Sequence, residues 1–467
     1  MKDFLKRILI KTHVYGSSVG SGKAAFWLLN RILDNKRARL ENLPIPMPTV
    51  REKGAVAPLI FSTSDIMGGA SKLAWWLHNG LRGRGEQSSM FVGWKYTDDK
   101  DVHVIRKALK DRMFAPVCDN VGMHYYNNLS TFDLPDMEAF RKADVLNFHN
   151  LHGNYFNPLA VPGLTRLKPA VWSLHDMQSL TGNCAYSFSC EKWRDGCVNC
   201  EALGAYPALK ADTTAEMFNV KKRIYEESDF DVVVTSNWLG NIVKGSILGA
   251  KRLHLIHYGI DTSVLRPSAK DEARARMGIP QDARVLIATI HGMSNQRKGG
   301  QYLLEALGKL AQDGTQVTMI AVGVDEGFDP GIRGIKWICT GYIDDEGERA
   351  RLYSAADVLL MPTLADNFPL VVLEAMACGL PVVAFSTGGV PEQVVHKVTG
   401  YVAGYKDVDD FVAGVRYFLE DSSRIKEASA LAIKRVRENF TLDIMVDGYV
   451  ELYKEVIERR TVKGRAK

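Results

Sequence analysis

Two runs of alternating apolar and helical segments, with a break near residues 260–283, constrain this chain more than any single motif. The first run has short apolar stretches at 56–61, 143–149, 170–175 and 230–236, each ending in a polar or turn segment. Ser62, Thr63 and Ser64 close the first stretch, a Gly-rich turn follows at 67–70, and a helix is expected at 71–81. The second run has apolar stretches at 284–290, 317–323, 335–339, 357–361 and 381–385, with helical segments such as 300–310 between them. Parallel strands need a crossover connection, and a helix supplies it, so this alternation reads as parallel sheet. The expected fold class is α/β, with two doubly wound Rossmann-like domains facing across a cleft. A chain of 467 residues is also too long for one ordinary core.

The expected division has four parts: a basic N-terminal extension over 1–55 and a first Rossmann-like domain over 56–265; a second Rossmann-like domain over 266–439 and a helix with a basic tail over 440–467. Residues 1–40 carry nine Lys and Arg against Asp3 and Asp34, although the formal net charge of the whole chain is only +5. Apolar residues interleave with these cations, as at Phe4, Leu5, Ile8, Trp27 and Leu28. Such an arm reads either as a surface helix attracted to anionic lipid or as a helix packed on the first domain. No apolar run approaches the roughly 18 residues of a membrane span, and charges interrupt the start as they would not in a signal peptide. A cytoplasmic protein is expected, peripheral to the inner face of a membrane if the arm binds lipid. No recognition motif accompanies the charge, so nucleic acid is not an expected partner.

The segment from Asp366 to Pro381 concentrates the chemistry. Asp366 and Asn367 offer capping groups, Pro369 suits a first helical turn, and Gly379 with Pro381 offers a stop. The N–H groups at such a helix start suit the diphosphate of a sugar nucleotide. Glu374, one turn in, would accept hydrogen bonds from ribose hydroxyls.

This segment resembles the signature of the family-four glycosyltransferases, which have the two-Rossmann GT-B architecture. Asp366, Glu374 and the following Ala-Met-Ala-Cys-Gly-Leu-Pro-Val-Val match its carboxylate-x7-Glu pattern, with Asp where many members have Glu. Residues 386–392 continue the pattern, and Tyr258-Gly259-Ile260-Asp261 is similar to the interdomain segment. The stretch 172–186, with His175, Asp176 and Cys184, resembles the subgroup that builds bacterial extracellular polysaccharides such as colanic acid. The resemblance implies a retaining transferase that moves a hexose-type sugar from a nucleotide-diphosphate donor to a glycan or lipid-linked glycan hydroxyl. It implies that Glu374 holds the ribose and Asp366 contacts the transferred sugar, while the backbone around Asn367, Phe368 and Leu370 faces the sugar or diphosphate. Lys298 resembles the lysine that neutralises the leaving diphosphate; Gly68 and Gly69 match the Gly-rich loop of the first domain; His175 matches a histidine near the reaction centre. The final helix is implied to cross back to the first domain. Many members have an arginine five or six positions before the lysine, where Met293 and Gly292 stand here. Arg297, adjacent to Lys298, is the remaining cation that could reach a phosphate.

His149 and His152 also close a strand, and either line the acceptor side or sit as ordinary strand-end histidines. Cys184, Cys190, Cys197 and Cys200 form a Cys-x5-Cys-x6-Cys-x2-Cys cluster. Four thiols suit a structural zinc ion; the alternative is a set of packed thiols. No catalytic metal is expected. The Gly16–Lys23 stretch lacks both the first glycine and the Ser/Thr of a phosphate loop, and Asp407 reads as a helix cap rather than a metal ligand. The rival functions are a sugar-nucleotide epimerase or phosphorylase on the same fold, and a catalytically weak glycan-assembly scaffold.

Overall fold

The computed structural model describes residues 19–46, 55–290 and 293–465. The start of the basic arm, Gly292 and the last two residues lie outside the described residues. The chain forms two compact units. The first comprises residues up to 235, then 240–256 and the chain from 446 onward; the second comprises 236–239 and 257–445.

The first unit is built on seven parallel strands: β1 (Pro58–Ser64), β2 (Ser89–Trp94), β3 (Val102–Val104), β4 (Val145–Phe148), β5 (Ala170–Leu174), β6 (Asp231–Val234) and β7 (Leu253–Leu255). Their order is β3-β2-β1-β4-β5-β6-β7. Strands β4, β5 and β6 are buried along their whole length. They read as continuous apolar runs because helices cover both faces of such a sheet. Phe61, Phe91, Phe148 and Phe156 interlock at its centre, with ring centroids 4.9–6.0 Å apart.

The second unit repeats the plan with six parallel strands: β8 (Val285–Thr289), β9 (Val317–Val322), β10 (Ile335–Gly341), β11 (Val358–Met361), β12 (Val382–Phe385) and β13 (Gly400–Ala403). Their order is β10-β9-β8-β11-β12-β13. Both sheets thus reverse direction once, between β1 and β4 and between β8 and β11. In open α/β sheets ligands bind outside the carboxyl ends of the strands at that reversal. The loops after β1, β4, β8 and β11 are therefore the places to look for a site.

The last helix, Leu442–Arg465, starts in the second unit and from Val446 belongs to the first. There Tyr449 Oη is 2.8 Å from Ser173 Oγ, and Asn147 Nδ2 donates to Tyr453 Oη at 2.7 Å. Ser173 Oγ also donates to Asn147 Oδ1 at 3.0 Å, so this buried polar network is closed on itself.

The helix Val19–Asn42 turns Leu29, Leu33 and Leu40 inward. Its cations Lys36, Arg37 and Arg39 pair with Asp133, Glu227 and Asp136 of the same unit. Of the two readings of the arm, the packed helix describes this stretch. No helix among the described residues is long and apolar enough to cross a membrane.

Candidate functional site

In the second unit, the loop after β8 carries Arg297 and Lys298 and the loop after β11 carries Asp366 and Asn367. The two loops are sewn together: Leu364 N–H donates to the Arg297 carbonyl at 2.8 Å, and Thr363 Oγ1 donates to it at 3.1 Å. Gly299 makes this approach possible. Its φ is +72°, and a Cβ there would overlap the Pro362 carbonyl, so only glycine fits without a shift.

The result is a three-charge cluster. Arg297 Nη1 and Lys298 Nζ both donate to Asp366 Oδ2, each at 3.0 Å. Arg297 Nη1 also donates to the Ala365 carbonyl at 3.0 Å. Burial alone would raise the Asp366 pKa, but Lys298 and Arg297 outweigh it and hold the carboxyl below its usual range. Neighbouring loop residues often point apart; here they converge on one oxygen. Met293, one of the two positions where a family arginine is usual, packs as a partly buried residue against the apolar core.

Capping of the next helix differs from expectation. The helix runs Leu370–Ala377 with Pro369 as the residue before it, and no side chain caps it. Asp366 is held by its cations, and Asn367 Oδ1 accepts from Ser236 Oγ at 2.7 Å. Leu370 is the first helical residue, so its N–H has no intrahelical partner. Phe368 is an anchor: its ring stacks on His257 at 5.1 Å and meets Phe440 edge-on at 5.7 Å.

Glu374 is buried and already well supplied with donors. Arg349 Nε reaches Oε2 at 3.2 Å and Nη2 reaches Oε1 at 3.1 Å, a forked pair. Tyr353 Oη adds a third bond at 3.0 Å. A carboxylate offers about four acceptor sites, so about one direction remains for a ligand hydroxyl. Arg349 Nη1 also donates to the Asp344 carbonyl at 2.7 Å, in the loop after β10. Burial opposes the Arg349 charge, yet Glu374 more than offsets it and the pKa is raised. Sequence reasoning passed over both Arg349 and Tyr353. They lie on a helix 25 and 21 positions from Glu374, and only the fold brings them near.

In the first unit, Gly68 and Gly69 open the helix Gly69–Gly83 directly after β1. Gly68 has φ +92°, and a Cβ on either glycine would meet nothing within 4 Å among the described residues, which leaves the backbone open to close approach. Asp65 fixes this turn, a role the sequence reading missed. Its carboxylate is fully buried and accepts from the N–H groups of Ile66, Tyr96 and Thr97 at 2.8–3.0 Å. Its position between a strand and a Gly-Gly turn was the available signal.

His149 after β4 and His175 after β5 meet, with Nδ1 of the first 2.7 Å from Nε2 of the second. His152 Nε2 lies 3.4 Å from Asp176 Oδ2. Burial keeps these rings neutral: it lowers His175 to about 3, and lowers His149 and His152 as well.

The zinc reading of the cysteine cluster finds no support among the described residues. Cys184, Cys190, Cys197 and Cys200 are free thiols. Among the described residues no group of three or more His, Cys, Asp or Glu could hold a metal ion. Cys197 Sγ instead accepts from Gly182 N–H at 3.0 Å, and Cys190 is exposed. Closeness in sequence limits how far apart four thiols can be; it does not aim them at one point.

Two doubly wound parallel-sheet units define the GT-B class of fold. Solved structures agree. The sucrose-phosphate synthase of Thermosynechococcus elongatus superposes with a TM-score of 0.63 at 19% identity, over 86% of this chain and 100% of that one. Anabaena Alr3699/HepE in complex with UDP-glucose gives 0.59 at 16% identity, over 85% of this chain and 99% of that one. Residues 284–421 match the family model described as glycosyl transferases group 1, so the second unit carries a group 1 glycosyltransferase domain. The chain is similar to the putative colanic acid biosynthesis glycosyl transferase WcaC of Escherichia coli K12, 27% identical over 275 residues. That match takes in 56% of this chain and spans 65% of the relative, just under two thirds of its length.

Proposed function

We propose that the chain is a retaining glycosyltransferase that moves a sugar from a nucleotide-diphosphate donor to a hydroxyl of a growing glycan, in the synthesis of a bacterial surface or extracellular polysaccharide. The observation that carries this reading is the convergence of Arg297 and Lys298 on Asp366 at the reversal of the second sheet, inside the group 1 domain. A diphosphate entering there meets two cations already drawn together. Its charge replaces that of Asp366 on Lys298 and Arg297 and frees Asp366 to turn to the sugar. The start of the helix at Leu370 adds N–H groups, and Glu374, steadied by Arg349, takes the ribose.

In the transfer step the bond from the anomeric carbon to the diphosphate oxygen breaks. A new bond forms from that carbon to the acceptor oxygen on the same face. The acceptor proton passes to an oxygen of the departing diphosphate. Charge grows on the leaving group, and Lys298 and Arg297 stabilise it where it develops. In this reading His175 and the Gly68-Gly69 turn are the residues of the first unit that bind substrate. The HepE complex with UDP-glucose supports a nucleotide-sugar donor for this fold, and the WcaC match supports a polysaccharide role.

The test is a screen of nucleotide sugars for binding and slow hydrolysis, with Glu374→Ala and Lys298→Ala as controls. At least one donor should bind and hydrolyse in the intact protein and fail in both variants. Silence toward every nucleotide sugar would sink the reading. Binding without transfer, unaffected by Glu374→Ala, would point to the scaffold instead.

A further inference from the structure

The transfer chemistry above gives His149 no task, yet its side chain is buried and its backbone is held on both sides. It is 2% exposed. Its N–H donates to the Phe61 carbonyl at 3.0 Å and its carbonyl accepts from Trp172 Nε1 at 3.1 Å, so β1 and β5 fix its backbone from both sides. Its ring lies nearly parallel to that of His175, 20° apart with centroids separated by 4.9 Å. The 2.7 Å contact between their nitrogens joins two neutral rings.

A hydrogen bond between neutral imidazoles needs one N–H and one bare nitrogen. Whichever ring donates, the other must take the complementary tautomer, so the pair confines both. The far nitrogen of His149, Nε2, has no partner among the described residues although it is buried, and neither does Ser179 Oγ. Both residues line one pocket, together with His175.

We propose that His149 is a positioning residue, which holds the His175 ring in one tautomer and one orientation for substrate. This rests on the reading of His175 given above. His149 does not touch substrate. It acts through the ring in front of it, and the secondary structure on both sides keeps it from moving.

The experiment uses the full chain labelled with 15N at histidine, with His175→Asn to assign the signals. In the unaltered protein His175 should show one unaveraged pair of ring nitrogen shifts. His149→Phe keeps a flat buried ring without nitrogens, and the His175 pair should then average between tautomers. With UDP-glucose as the donor probe, kcat for hydrolysis should fall about tenfold or more while KM moves less than about twofold, since misplacing a reacting group costs rate more than binding. His149→Gln, whose amide can still meet the ring, should restore the single tautomer, and it serves if the phenylalanine variant does not fold. An unchanged His175 pattern in His149→Phe overturns the proposal whatever the kinetics do. If no form of the protein responds to donor, the functional reading fails, and the nitrogen shifts still decide this one.

Discussion

Arg349 is the residue on which the Glu374 carboxylate depends. Its forked bonds to Glu374, at 3.1 and 3.2 Å, fix the plane of the carboxylate, and its bond to Asp344 ties in the loop after β10. Arg349→Lys keeps the charge but loses the fork. Donor affinity should fall about tenfold in that variant, as expected for loss of a charge-assisted hydrogen bond, with a smaller change in kcat; calorimetry and steady-state kinetics read the two separately. Arg349→Ala leaves Glu374 buried and uncompensated, and should cost about 3–5 kcal/mol of stability in denaturant melts. The spacing of Asp366 and Glu374 was legible because both lie on one loop-helix segment. Arg349, Tyr353 and Asp65 were not, since what marks them is a partner supplied by another element. Asn367 was misjudged for the same reason: its side chain had a capping role available locally, but Ser236 takes it.

At the scale of elements, most central strands and the edge strand β10 announced themselves, whereas β2 and the short strands β3, β7 and β13 did not. Strands β1, β4, β5 and β6, like β8, β9, β11 and β12, are apolar because both faces are covered. The outer strands β3 and β7 are three residues long and only partly buried, too short to show a pattern. Strand β13 is also short, at four residues. Asp407 caps the helix Val408–Leu419 as read from sequence, its side chain accepting from Asp410 N–H. The loops after β8 and β11 were legible in composition but not in how they join. Gly299→Ala tests that junction. It should destabilise the second unit by about 1–3 kcal/mol, because a left-handed residue acquires a Cβ against backbone. A lower melting temperature together with weaker donor binding is the expected outcome; an unchanged melt would mean that the loops are not held by this approach.

Across the whole molecule, buried histidines set the response to acid. His78 is lowered to about 4 by burial, and His149, His152 and His175 are lowered by the same cause. All four belong to the first unit. Their folded pKa values lie below the unfolded value near 6.5, so below that pH the unfolded chain takes up protons that the folded chain refuses. The stability they contribute is complete above about pH 6.5 and declines toward the folded values, by up to about 1.4 kcal/mol per pH unit for each ring. The urea midpoint should therefore fall between pH 7 and pH 5, and a flat midpoint would contradict neutral burial. The doubly wound plan of both units was readable in the alternation of segments. The strand orders were not, because order is decided by which crossover packs where.

The central claim is that Arg297 and Lys298 form a diphosphate site, and nucleoside-diphosphate affinity tests it most directly. Calorimetry with UDP, GDP and ADP on the unaltered protein, Lys298→Ala and Arg297→Ala isolates the two cations without any need for an acceptor. One nucleotide should bind the unaltered protein, and each variant should lose about tenfold or more, the worth of a charge-assisted contact. Equal affinity in all three proteins would contradict the claim.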